Sequence, residues 1–239
     1  MSSSKNNKMK GSAISSPSRE NRSSKFTADG VKEYEKRRYR GLDQRIVHAR
    51  EVRILKKIFK SVKGRWSGPA RVLDMPCGYG RFSGFLLGQG FWVVNCDLSF
   101  HMVKRACEKV ENIAESGKGS PGAVGNATLG LPFQDKAFPV VFSIRFFHHV
   151  HDPSDRGKIL GEFFRVSSAW AVVSFYQMNV LHLFQRRLRR LLKKSRTHIK
   201  MIEPGLFEKE AEAAGFVVRR VYPLIRGLHA YHIALLEKS

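Results

Sequence analysis

Cysteine is scarce and long apolar runs are missing. Three cysteines, Cys77, Cys96 and Cys107, stand in 239 residues, too few for a disulfide framework. None lies in a C-x-x-C or Cys/His pattern, so no metal site is expected and a reducing compartment is. No stretch approaches the roughly 18 apolar residues of a membrane-spanning helix. The first residues lack the apolar core of a secretory signal, and Glu20 with the missing amphipathic period argues against a transit peptide. The expected location is cytoplasmic. Acid is scarce too. Twenty Asp and Glu face 43 Lys and Arg, a net charge of +23, with a pI of about 10.4. Such an excess points to an anionic partner: nucleic acid, a membrane surface or an acidic substrate. Solvated surface charge is the plain alternative.

The charge is uneven. Residues 1–40 carry +7 and residues 181–200 carry +8, so the rest of the chain is only mildly basic. Residues 1–30 have almost no large apolar side chains, cannot offset the entropy of ordering, and are expected to form a disordered basic tail. Residues 31–64 read as a helical appendage, with Ile46, Ile54, Leu55 and Ile58 at helical spacing and Gly41 as a divider. It is placed to pack on the sheet or to form a lid. Within residues 65–239, strands are expected at 71–74, 91–96, 123–124, 140–144 and 169–175, with helices between them at 79–87, 100–113 and 153–164. Two final strands, 216–222 and 229–236, have hairpin spacing. This order predicts an α/β fold, a doubly wound, mostly parallel, seven-stranded sheet with a terminal antiparallel pair. The segment 178–200 interrupts it. Leu181, Phe184, Leu188 and Leu191 form an apolar stripe among Arg186, Arg187, Arg189, Arg190, Lys193 and Lys194, a basic amphipathic insert or lid.

The stretch from Arg71 to Ala106 carries the chemistry. An apolar run ends at Asp74, a glycine turn follows at Gly78 and Gly80, and a second apolar run ends at Asp97. Two glycines in a turn between strand and helix permit positive φ and close approach of backbone to a ligand. No Lys-Ser/Thr follows, which excludes a P-loop. In G-Y-G-R-F-S-G the third glycine is one residue late for a dinucleotide fingerprint. An acid at the second strand end, about 20 residues past the turn, suits a bidentate hold on ribose hydroxyls. The alternatives are a purely structural turn and an acid that caps the helix after Leu98-Ser99.

V-L-D-M-P-C-G-Y-G-R resembles motif I of class I S-adenosylmethionine (SAM) dependent methyltransferases, and N-C-D-L-S resembles their ribose-binding strand end. G-N-A followed by L-P-F-Q-D-K-A-F-P-V-V-F-S resembles a segment of the small-molecule group. The resemblance extends over about residues 65–237 and implies a Rossmann-like fold with SAM as cofactor. It implies that Asp74 orders the turn and the methionine end, that Cys77, Gly78 and Gly80 line the methionine through backbone, and that Asp97 holds the ribose. It places Leu98 and Met102 near the adenine. Asn126, where the family commonly has Asp, would meet the adenine amine through its carbonyl oxygen. Pro139 departs from the family's frequent Asp before the fourth strand.

His148 and His149 are the base candidates, since histidine titrates near neutrality; packing at the strand end is the alternative. Arg145 is a candidate for orienting an anionic group, and Tyr176 and Gln177 for lining the acceptor pocket. His229 and His232 read as structural. No N-P-P-Y or D-P-P-Y follows the fourth strand, which argues for a small, lipophilic or anionic acceptor over a nucleic-acid base. Three functions stay open: a small-molecule methyltransferase, an rRNA or tRNA methyltransferase, and a non-catalytic RNA- or membrane-binding protein that retains the cofactor fold. The segments 1–40 and 181–200 would supply the RNA contact, or peripheral contact with an anionic membrane.

Overall fold

Side chains of successive strand residues point to opposite faces, and this chain fills both faces with apolar groups. In the computed structural model, which describes residues 30–31, 33, 42–65, 70–113, 120–178, 201–226 and 229–239, the strands are β1 (Arg71–Asp74), β2 (Trp92–Asp97), β3 (Gly122–Val124), β4 (Phe138–Ser143), β5 (Ser167–Tyr176), β6 (Phe216–Pro223) and β7 (Tyr231–Lys238). They form one seven-stranded sheet in the order β3-β2-β1-β4-β5-β7-β6. Pairing is parallel from β3 to β5, and β7 runs antiparallel to both β5 and β6. The expected mostly parallel sheet and terminal antiparallel pair are both present.

Among the described residues the sheet is covered by α1 (Leu42–Val62), α2 (Ser83–Gly88), α3 (Phe100–Ile113), α4 (Pro153–Val166) and α5 (Leu206–Ala213). Val72, Val93, Val140, Phe142, Val172 and Ile233 pack on one face with Leu55, Ile58 and Phe59 of α1 and Leu86 of α2. Leu73, Val94, Val141, Ala171, Val173 and Ala234 pack on the other with Phe163 of α4 and Phe207 of α5. Two-sided burial explains why these strands are continuous apolar runs instead of alternating ones.

Local signals account for several boundaries. Asp152 accepts a hydrogen bond from the Ser154 amide (2.9 Å), and Pro153 opens α4, an N-cap followed by a proline at the first helical position. Gly90 takes φ +86°, and its amide returns to the Leu87 carbonyl at 2.8 Å, closing α2 as a left-handed C-cap does. Three expectations need correction. The helix expected from Tyr79 starts at Ser83, because Gly78 and Gly80 hold φ of +52° and +74° and keep the chain out of the helical region. The fourth strand begins earlier, at Phe138, and Pro139 sits where its register with β5 shifts; a proline has no amide to give a sheet ladder and is tolerated at such irregularities. Ile46 is 58% exposed, and the inward face of α1 runs instead through Glu51, Leu55, Ile58, Phe59 and Val62. The tail 1–29, Gly41 and the insert 179–200 lie outside the described residues.

Candidate active site

The two acids come together because β1 and β2 are adjacent and parallel, with Asp74 in register with Asn95. A parallel sheet opens its binding crevice beyond the carboxyl ends of its strands. The turn after β1 is fastened to both neighbours: the Met75 amide donates to the Phe142 carbonyl (2.9 Å) and the Cys77 amide to the Cys96 carbonyl (2.8 Å). Asp97 completes the fastening. Its Oδ2 accepts from the Gly78 amide (3.0 Å), and its Oδ1 accepts from the Ser99 amide (3.0 Å). The carboxylate thus holds the glycine turn and the entry to α3 together. Each oxygen keeps a lone pair, so a bidentate hold on two hydroxyls remains chemically open.

A cavity of about 190 Å³ lies over these strand ends, lined by Asp74, Pro76, Cys77, Gly78, Tyr79, Arg81, Phe82, Asp97, Met102, Ile144, Arg145 and His149. Of the residues singled out in the sequence, it gathers Asp74, Cys77, Gly78, Asp97, Met102, Arg145 and His149. Gly80 supports it from behind: a Cβ there would stand 2.7 Å from Ser83 Oγ and 3.0 Å from Ala106 Cα, whereas a Cβ at Gly78 meets nothing within 4 Å. Leu98 is 45% exposed and outside this lining. Asn126 is outside it as well, and its Oδ1 already accepts from the Thr128 amide (3.0 Å) and hydroxyl (2.8 Å). That oxygen is committed to a local turn, which the sequence reading had kept for an adenine amine.

Burial pushes the Asp74 carboxyl well above its ordinary value, and the nearby Asp97 charge adds to the rise. Asp97 is raised by burial too, against the lowering pull of its backbone donors. A buried acid with a second acid beside it is a fitting counter-group for a cation, whose charge relieves both effects. Burial, followed by the same two acids, raises the Cys77 thiol, and Cys96 is pushed up to about 12 mainly by burial. Both stay protonated thiols, so Cys77 contributes here through its backbone and not as a nucleophile.

His148 and His149 form a short 3-10 turn after β4. His149 faces the cavity. His148 lies with its ring centroid 5.1 Å from Tyr176, and the two imidazoles are 3.9 Å apart. The connection before β7 adds His229, 6.4 Å from Tyr176, a proximity invisible in the sequence because the two are 53 residues apart. The His229 Nδ1 accepts from the Tyr231 amide (3.0 Å), which leaves Nε2 to carry the proton in the neutral ring. Gln177 donates its amide to the Ala230 carbonyl (2.7 Å) and pairs with Ile202 in an isolated bridge. The basic insert therefore leaves and rejoins the body at one place, beside Tyr176.

Further residues were missed. Arg81, Tyr79 and Phe82 line the cavity from the turn itself. Glu51 lies behind it, fully buried on α1; its signal was an acid in the inward phase of a basic helix. The N-terminal segment also reaches the site: Val31 is buried against Tyr79 and Met102.

A sheet of this order, with an acid-flanked glycine turn at the carboxyl ends of its first two strands, defines the fold of the class I SAM-dependent methyltransferases. Residues 73–172 match the model of the methyltransferase domain family. Among solved structures, magnesium protoporphyrin IX methyltransferase from Synechocystis PCC 6803 with bound SAH is 15% identical, over 91% of this chain and 98% of that one, with a TM-score of 0.72; its SAM-bound form is also similar, at a TM-score of 0.65. A SAM-dependent methyltransferase from Methanosarcina mazei is 20% identical, over 72% of this chain and 94% of that one (TM-score 0.58). A TehB-like SAM-dependent methyltransferase from Corynebacterium glutamicum is 18% identical, over 89% of this chain and 100% of that one (TM-score 0.58). No curated protein matches the chain in sequence. Among the described residues no helix is long and apolar enough to cross a membrane.

Proposed function

We propose that the cavity over β1 and β2 is the SAM site and that the acceptor is a small molecule entering from the side of His149 and Tyr176. The observation that carries this reading is the pair of acids flanking one glycine turn, Asp74 without a hydrogen-bond donor among the described residues and Asp97 with acceptor capacity to spare. When bound, SAM supplies a methyl group activated by its sulfonium. The chain's part is to bind and align. Asp74 would hold the methionine ammonium, Asp97 the ribose hydroxyls, and Met102 with Leu98 the adenine. Asn126 can offer only its amide N–H groups. At the other wall, a ring nitrogen of His149 would take the proton that an O–H or N–H acceptor loses, with His148 and Tyr176 nearby and Gln177 following Tyr176. One similar fold belongs to a magnesium protoporphyrin IX methyltransferase, and with the basic excess of this chain it makes an anionic, partly apolar acceptor the first class to screen.

Calorimetry with SAM and with NAD tests the cofactor. SAM should bind and NAD should not, and Asp97→Ala should weaken SAM by on the order of tenfold or more, the loss of a charge-assisted contact. Absence of heat with SAM would sink the reading, and unchanged affinity in the variant would remove Asp97 from it.

A second reading has one observation in its favour. The insert with +8 over residues 181–200 is rooted beside Tyr176 through the Gln177–Ile202 bridge. Its charge supports contact with RNA phosphates or with an anionic membrane close to the acceptor entrance.

A further inference from the structure

One ionic cluster lies outside the roles given so far. Glu51 is fully buried, and a buried carboxylate is costly unless donors surround it. Its partners come from four separate parts of the chain, two as hydrogen-bond donors and two as nearby basic groups. Arg145, following β4, makes a two-pronged contact through Nε (2.9 Å) and NH2 (3.0 Å). Tyr231, opening β7, donates its hydroxyl at 2.6 Å. Arg81, from the glycine turn, approaches to 3.8 Å, and His48 Nδ1, one helical turn back on α1, to 3.5 Å. Burial alone would raise the Glu51 carboxyl, but the bonds from His48, Arg145 and Tyr231 and the Arg145 charge hold it at about 2. It is an anion at neutral pH.

Both arginines of this cluster line the cavity with Asp74 and Asp97. Arg145 is fixed there: its backbone sits at φ +63°, and its amide donates to Ser174 Oγ at 2.6 Å. Glu51 offsets the Arg145 charge from behind, so removing the Glu51 charge alone would make the surroundings of the cavity more positive. The difference matters for a ligand pair that differs by one charge. SAM carries a sulfonium cation; its demethylated product, S-adenosylhomocysteine, has a neutral thioether at the same atom. We propose that Glu51 is a specificity-determining counter-ion that sets the charge of the cavity and so favours the cationic cofactor over the neutral product. This rests on the reading that the cavity holds SAM. Glu51 acts through Arg145 and touches neither ligand.

The test is the ratio of the two affinities, measured by calorimetry on the full chain. Glu51→Gln keeps the shape and removes the charge; it should lower SAM affinity relative to product by on the order of tenfold, as expected for one charge acting over several ångströms inside a protein. Arg145→Gln leaves the Glu51 anion without its main partner and should move the ratio the other way. The double variant should return it to near the wild-type value. A merely structural role would weaken both ligands together and leave the ratio still. An unchanged ratio in Glu51→Gln, or single variants that shift it in the same direction, would overturn the proposal. If Glu51→Gln does not fold, a failure of Arg145→Gln to raise the preference for SAM overturns it as well. Wild-type protein that binds neither ligand would instead defeat the SAM reading of the cavity.

Discussion

Gly78 and Gly80 share a turn, a positive φ and a residue type, yet the structure uses them differently. At Gly80 the limiting neighbours are protein atoms, Ser83 Oγ and the Ala106 backbone on α3. At Gly78 nothing stands in the way of a Cβ, and the residue lines the cavity. Alanine at either position incurs the left-handed penalty of about 1–2 kcal/mol. Gly80→Ala adds overpacking of about 1–3 kcal/mol and should show the larger fall in thermal stability. Gly78→Ala should melt closer to wild type but bind SAM less tightly, because its methyl group occupies ligand space. Melting curves with parallel SAM titrations separate the two, and equal losses of stability would show that the turn behaves as one rigid unit. The motif pattern alone could not make this distinction, since a G-x-G spacing says that side chains are excluded and not what excludes them. Asp97 is similar. Ribose binding and helix capping stood as alternatives for it in the sequence, and the structure shows a bond from the Ser99 amide, just before α3, together with one from Gly78.

At the scale of elements, α1 is the part whose role changed most. Its apolar periodicity was readable, but the phase was misjudged at Ile46, because an isoleucine among arginines and lysines looks inward until the true stripe is known. The stripe includes Glu51, so the helix brings a charge to the sheet as well as Leu55, Ile58 and Phe59. Phe59 lies in an aromatic cluster with Phe85, Phe91 and Phe142, which ties α1 to α2, the turn before β2, and β4. The Glu51 carboxyl also links this helix to acid stability. Its folded value of about 2 lies below the ordinary 4.5, so its contribution is fully present above about pH 4.5 and is lost as pH falls toward 2. The shift corresponds to about 3 kcal/mol. Urea unfolding of wild type and Glu51→Gln should therefore show a stability gap that narrows by about that amount between about pH 6 and about pH 2. A gap independent of pH would mean that the carboxylate gains nothing from its partners.

Across the whole molecule, charge and fold are separate. The sheet is covered by apolar layers on both faces, while +15 of the +23 resides in residues 1–40 and 181–200. Phosphate contacts made by the insert would give a steep salt dependence, with about 0.7 lost from the slope for each single-stranded phosphate released. Replacing Arg186, Arg187, Arg189, Arg190, Lys193 and Lys194 with glutamine should flatten the salt dependence of binding to immobilised RNA and leave the melting temperature of the body unchanged. A slope identical to wild type would assign the charge to some other role.

The sequence by itself determined the alternation of strands and helices, the terminal hairpin, and the glycine turn with its two acids. These are local patterns: two-residue and helical periods, turn residues and strand-end acids, each read within a short window. Only the tertiary structure decided that Glu51 meets Arg145 and Tyr231, which lie 94 and 180 residues further along the chain, that His229 joins Tyr176, and that the Asn126 oxygen is spent on Thr128. Such contacts depend on how α1 crosses the sheet and where β7 inserts between β5 and β6. Those placements come from burying apolar surface on both faces at once, a balance over the whole chain that no single window contains.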